Sequence, residues 1–133
     1  MMTDADPPKN WQGNDLHCAG CANLVLSQAG RCQLLHACVE DRYAKRIDRF
    51  FDWNPDIAKD YLAHAYFEVR AFSVKHADVF HLPALMIDPD WRVRYEVVSR
   101  MLNDEDSAVR ELARSRLPPE FLAQGKQVFS LVG

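Results

Sequence analysis

The stretch "HCAGCANLVLSQAGRCQLLHAC", from His17 to Cys38, contains all four cysteines of a 133-residue chain. Nothing else in the sequence restricts the backbone as strongly, because thiols this close become disulfides, metal ligands or core residues. The N-terminal "MMTDADPPKNWQGND" lacks the basic and apolar regions of a signal peptide, and no apolar run is long enough to span a bilayer. A cytoplasmic chain is therefore expected, and a reducing cytosol disfavours disulfides. The net charge of −3 leaves no basic footprint, so neither nucleic acid nor membrane is expected as a partner.

Spacing narrows the remaining possibilities. Cys18 and Cys21 form a C-x2-C hook, Cys32 follows after ten residues, and Cys38 after five more. Such a hook aims two thiolates at one centre, and Gly20 stands where a tight bend is expected. On one unbroken helix, Cys32 and Cys38 would be rotated apart by about 240°, at about 100° per residue. They could not face one site that way. The chain is therefore expected to break near Ala29, Gly30 and Cys32, with a helix over "QLLHACVEDRYAKRIDRFF" carrying Cys38 on its first turns.

Structural zinc prefers two narrow hooks, whereas the second hook here is wide. The pattern also misses the common ferredoxin spacings. An iron–sulfur cube accepts wider spacing, because its irons occupy separate corners and each thiolate approaches from its own direction. On spacing alone, an iron–sulfur cluster, zinc and a metal-free core all stay open. His17 and His36 lie beside the cysteines, as replacements for a ligand or as neighbours of the site. Arg31, Arg42, Lys45, Arg46 and Arg49 either offset the charge of a thiolate centre or form a solvated helix face.

A second pattern occupies the other half. "VRAFSVKH" from Val69, "VRYEVVSR" from Val93 and "VRELARSR" from Val109 recur at intervals of 24 and 16 residues. Repetition of this kind means stacked units, each too short to bury its apolar stripe alone. Val93, Val97, Val98 and Met101 form one stripe; Val109, Leu112, Ala113 and Leu117 form the next. Asp88 is expected as an N-cap, with Pro89 at the first helical position and Asp90 in the first turn. Asp90 and Asp106 recur with Arg94 and Arg110 as charges that fix repeat geometry. The aromatic residues Phe50, Phe51, Trp53, Tyr61, Tyr66 and Phe67 read as core.

The pattern C-x2-C-x10-C-x5-C, followed by "AKRIDRFFDWNPDIAKDYLAHAYFEVRA" and by units of the DPDxxVRxxVxxR kind, resembles the leucine-rich repeat variant family over Trp11 to Leu117. The resemblance implies an all-α chain, with a small N-terminal domain ligating a [4Fe-4S] cluster and then a short right-handed helical solenoid of α and 3₁₀ repeats. It implies Cys18, Cys21, Cys32 and Cys38 as the metal and cofactor ligands. The corresponding boundaries are a polar segment over 1–15, the cluster domain over 16–52, repeats over 53–117 and a cap or tail over 118–133. Family members are associated with nitrogen-fixation genes, and membership implies no catalytic activity. The sequence also lacks a Walker loop, G-x-S-x-G, H-E-x-x-H and a dinucleotide fingerprint, so no enzyme is expected. The 16-residue interval has no room for a 3₁₀ element in its repeat. Three roles are open: a cluster-bearing module whose repeats contact a protein partner, an electron carrier, or a structural zinc adaptor. The first is preferred, since an electron carrier needs no repeat scaffold.

Overall fold

The computed structural model describes residues 7–117. Among these the regular structure is all helical, with five α-helices and four 3₁₀ helices. The cap or tail expected over 118–133 lies outside the described residues. The chain divides into two units, meeting in sequence at Ala58 and Lys59. No helix among the described residues is long and apolar enough to cross a membrane.

The first unit contains a 3₁₀ turn at Cys18–Gly20, α1 (Leu24–Gln28) and α2 (Ala44–Trp53). The break expected after α1 is present. Gly30 has φ 75°, a left-handed conformation that glycine adopts without a Cβ clash. Around it the Arg31 N–H donates to Leu26 O at 2.8 Å and the Gly30 N–H to Ser27 O at 3.1 Å, closing the helix end.

The helix expected to begin at Gln33 does not. Gln33 and Ala37 exchange backbone hydrogen bonds at 2.7 and 2.9 Å, and the Asp41 carboxylate accepts the Tyr43 N–H at 2.8 Å. The Ala37 carbonyl and the Tyr43 N–H, which a helix would pair with the Asp41 N–H and the Val39 carbonyl, are thereby committed elsewhere, so α2 starts only at Ala44 and Cys38 lies in the loop before it. α2 buries Ile47, Phe50 and Phe51. The last two meet edge to face, with ring centroids 5.3 Å apart. Trp53, by contrast, is 38% exposed and does not complete an aromatic core.

The second unit runs α3 (Phe67–His76), two 3₁₀ helices at Val79–His81 and Pro83–Ile87, α4 (Trp91–Leu102) and α5 (Ser107–Ser115). α4 packs against α3, α5 and the Pro83–Ile87 helix. The stripe of Val93, Val97, Val98 and Met101 is fully buried, as its spacing predicts. In α5 only Ala113 is buried, while Val109, Leu112 and Leu117 pack partly covered against the same core. Between α3 and α4 the 24-residue interval holds 3₁₀ helices; between α4 and α5 the shorter interval holds none.

One local device recurs three times. The N–H groups of Tyr66, Asp90 and Asp106 donate to His64 Nδ1, Asp88 Oδ1 and Asp104 Oδ1 at 3.0, 2.9 and 2.8 Å. Six residues after each turn opens, an arginine reaches back. Arg70 donates to His64 O at 2.8 Å, Arg94 to Asp88 O, and Arg110 to Asp104 O at 2.7 Å. Each "VR" arginine therefore braces the turn that starts its own helix, a role the spacing alone did not reveal.

The same bonds correct the start of α4. Asp88 is not its N-cap, because its carboxylate takes the Asp90 N–H and both ends of the Arg70 guanidinium at 2.9 and 3.1 Å. Asp90 caps instead, accepting the Arg92 N–H at 2.9 Å, and Asp106 caps α5 through the Ala108 N–H at 2.8 Å. Arg100 closes the other end of α3, donating to Val74 O at 2.6 Å and to Ala77 O.

The Arg70–Asp88 pair is 13% and 5% exposed, so removing the cation leaves a buried carboxylate without its partner. Arg70→Met should cost about 3–5 kcal/mol. Arg114→Met, on an exposed pair with Glu111, should stay within about 0.5 kcal/mol. Urea unfolding of the two variants checks this, and equal midpoints would refute the buried brace. Val97→Asp places a carboxylate in the same core and should lower the melting temperature of the repeats while the parent stays folded.

Candidate metal centre

The four cysteines come from three pieces of backbone that the first unit draws together. Cys18 and Cys21 flank a single 3₁₀ turn, closed by the Cys21 N–H donating to Cys18 O at 3.1 Å. Gly20 does not need a left-handed conformation there, and a Cβ on it would meet nothing within 4 Å, so the bend expected of glycine is an ordinary turn.

Cys32 and Cys38 sit just outside the Gln33–Ala37 pair, at the two ends of a tight antiparallel loop. Leu35 at the tip adopts φ 66°, an unusual conformation for a side chain with a Cβ. The wide spacing of the second hook is thus absorbed by the loop between its ends.

All four cysteines are free and line one pocket, whose volume is about 390 Å³ including the space open to solvent. Leu16, Leu34, Val39 and Phe50 supply its apolar wall. His17 also lines it, whereas His36 is placed by other contacts: its carbonyl accepts from Arg49 at 2.8 Å and its ring lies 5.7 Å from that of Trp53.

The basic residues flanking the cysteines act as clamps rather than as pocket wall. Arg31 pairs with Asp56 at 3.0 Å, and Arg46 pairs with the fully buried Asp41 at 3.1 Å. Arg42 donates to the Tyr43 hydroxyl at 3.1 Å, and Lys45 stays exposed.

Burial and neighbouring charge set how readily the sulfurs ionise. Burial raises the Cys32 thiol pKa, and the neighbouring charges of Cys18 and Cys21 raise it further. Cys38 is pushed up to about 12, chiefly by burial, with Asp41 and Cys21 adding to it and the backbone N–H groups of Glu40 and Asp41 working against it. The Asn23 N–H donates to Cys21 Sγ at 3.4 Å.

Four soft sulfur donors in one apolar pocket suit a thiophilic metal, and only a bound positive charge keeps such a set ionised together. Sequence reasoning missed Asp41 and Asn54, which hold this loop in place, and read Arg49 as a charge rather than as the donor to His36 O. The Asn-Pro step after α2 was a legible helix stop, but its partner lies 23 residues away.

Fold and site together define a class: a cysteine-lined metal pocket in an irregular helical unit, followed in the chain by α-helices repeating with 3₁₀ segments. The family model described as "LRV protein FeS4 cluster" matches residues 8–60. A Rhodobacter capsulatus protein, described as an uncharacterized 27.7 kDa protein in the nifB 3′ region, is 41% identical over 117 residues. A solved structure described as a leucine-rich repeat variant with a novel repetitive protein structural motif is 35% identical, with a TM-score of 0.61. Both matches cover 88% of this chain, which spans 41% of the Rhodobacter protein and 56% of the solved chain. Residues 8–60 belong to the leucine-rich repeat variant cluster family, the chain as a whole is similar to leucine-rich repeat variant proteins, and its cofactor is of the iron–sulfur class.

The raised Cys38 pKa has a signed consequence for protein stripped of metal. Between pH 9, its ordinary value, and about 12, the unfolded chain loses this proton while the native chain keeps it. Stability of the stripped protein should therefore fall as pH rises through that window, and be unaffected by this group below it. At pH 8, iodoacetamide should label Cys38 last of the four, as mass mapping would show. Labelling as fast as at Cys18 would contradict the buried, protonated thiol.

Proposed function

We propose that the chain binds a [4Fe-4S] cluster through Cys18, Cys21, Cys32 and Cys38 and serves as a non-catalytic, cytoplasmic interaction module linked to nitrogen fixation. The observation that carries this reading is the meeting of two hooks at one pocket, in the segment matched by the FeS4 family model. A single tetrahedral zinc, with bonds of about 2.3 Å, needs sulfurs about 3.8 Å apart. The match of residues 8–60 to an FeS4 cluster model supports a cube, whose irons stand at separate corners.

Bound, the cluster supplies positive charge and one-electron chemistry. The chain's own part is to ionise and orient the four thiols, to hold Cys38 in apolar surroundings, and to direct the Asn23 N–H at Cys21. The place of the Rhodobacter relative beside nifB supports the nitrogen-fixation link. The repeats support a protein partner: Phe80, Ile87 and Trp91 are 86%, 87% and 52% exposed, more apolar surface than a short helical unit needs for itself.

Anaerobically purified protein should be brown and contain about four irons and four acid-labile sulfides per chain. Colourless protein with one bound zinc would refute the cluster. Cys21→Ala and Cys38→Ala should each lower the iron content and reduce the helicity of the first unit, because ligation and folding of a small site are coupled. Full iron retention in both variants would place the ligands elsewhere.

A further inference from the structure

We infer that Asn54 is a positioning residue for the Cys32 ligand, acting through the Arg31 carbonyl. This rests on the proposed cluster and concerns which residue outside the ligand set holds the second hook. Asn54 is fully buried at the C-terminal end of α2. Its Nδ2 donates to Phe50 O at 2.9 Å, an ordinary closure of the last helical turn. The same Nδ2 donates to Arg31 O at 2.8 Å, on the residue immediately before Cys32. Its Oδ1 is buried with no hydrogen-bond partner among the described residues. An apolar side chain of similar size would avoid that unmet acceptor, so the two donor bonds are what offsets it.

The rest of the hook shows why Asn54 matters more at one end than the other. At the Cys38 end, the Cys38 N–H donates to Arg46 O at 3.1 Å, and Arg49 donates to His36 O at 2.8 Å. Arg46, Phe50 and Asn54 follow at intervals of four, on one face of α2, so the helix presents a rigid edge to the loop. At the Cys32 end the Arg31 N–H donates to Leu26 O at 2.8 Å and the Cys32 thiol to Asn23 O at 3.9 Å, both within the α1 segment; the ties to α2 and beyond are Asn54 and the Arg31–Asp56 pair. That pair is 41% and 65% exposed, and exposed pairs hold geometry weakly. Asn54 is therefore the buried tie that joins the Cys32 end to α2, and the coupling runs both ways: what fixes the amide fixes the thiol, and loss of the ligand bond frees the amide.

The test measures iron release from anaerobically loaded protein to a ferrous chelator. Asn54→Ala should release iron about tenfold faster than the parent, the loss typical when a ligand's support is removed. In a Cys32→Ser background the same substitution should change the rate by a factor near one. Arg49→Ala, which acts at the Cys38 end, should keep its factor in both backgrounds. An equal Asn54→Ala factor in both backgrounds would mean that Asn54 only stabilises α2, and would overturn the assignment.

If Asn54→Ala does not fold, Asn54→Leu replaces it at nearly unchanged volume. Hydrogen exchange of the Asn54 side-chain amide gives an independent reading. It should be protected in loaded protein and exchange about tenfold faster in Cys32→Ser. Equal exchange in the two would likewise overturn the assignment. A parent protein without iron or sulfide would refute the proposed function itself, whereas a loaded parent insensitive to Asn54 refutes only this inference.

Discussion

Negative charge gathered in an apolar pocket is the constraint on which the first unit depends. Burial already holds the Cys32 and Cys38 thiols protonated, and each neighbouring thiolate makes the next harder to ionise. The pocket has two stable conditions: neutral thiols without metal, or thiolates gathered on positively charged iron. The large side chains fully buried in this unit are few, chiefly Val39, Ile47, Phe50 and Phe51. So small a core contributes little stability of its own, which ties the fold of the unit to its ligation.

The second unit rests on a different balance. Its core of Val74, Leu82, Val93, Val97, Val98 and Met101 is contiguous and apolar, and no thiol enters it. The Arg70, Arg94 and Arg110 braces satisfy turn carbonyls that the helices leave open, so each short helix has a defined start. Stacking then supplies what single helices of nine to twelve residues lack. One chain thus carries a unit organised by charge and metal, and a unit organised by area burial.

The route from site to function follows from where the ligands are held. Cys18 and Cys21 lie on a half-exposed turn beside His17, while Cys38 is buried behind Val39 and Phe50. A cluster held by these residues would meet buried surroundings at Cys38 and partly exposed ones at Cys18, Cys21 and Cys32.

What the sequence determined by itself was local. Four cysteines in one window, a glycine break at Gly30 and "VR" units at 24 and 16 residues point to a thiol-bearing segment, a helix end and a repeat, because each signal lies within a few residues of its effect. The valine stripe of α4 was legible for the same reason. What only the tertiary structure decided were partnerships between distant or competing groups. Gln33 bonded to Ala37 rather than to a helix, placing Cys38 in a loop; Asp88 served Arg70 rather than capping α4; Asn54 reached Arg31 across 23 residues. Backbone and side-chain donors have several acceptors of similar strength along the chain, and packing decides which one comes within 3 Å.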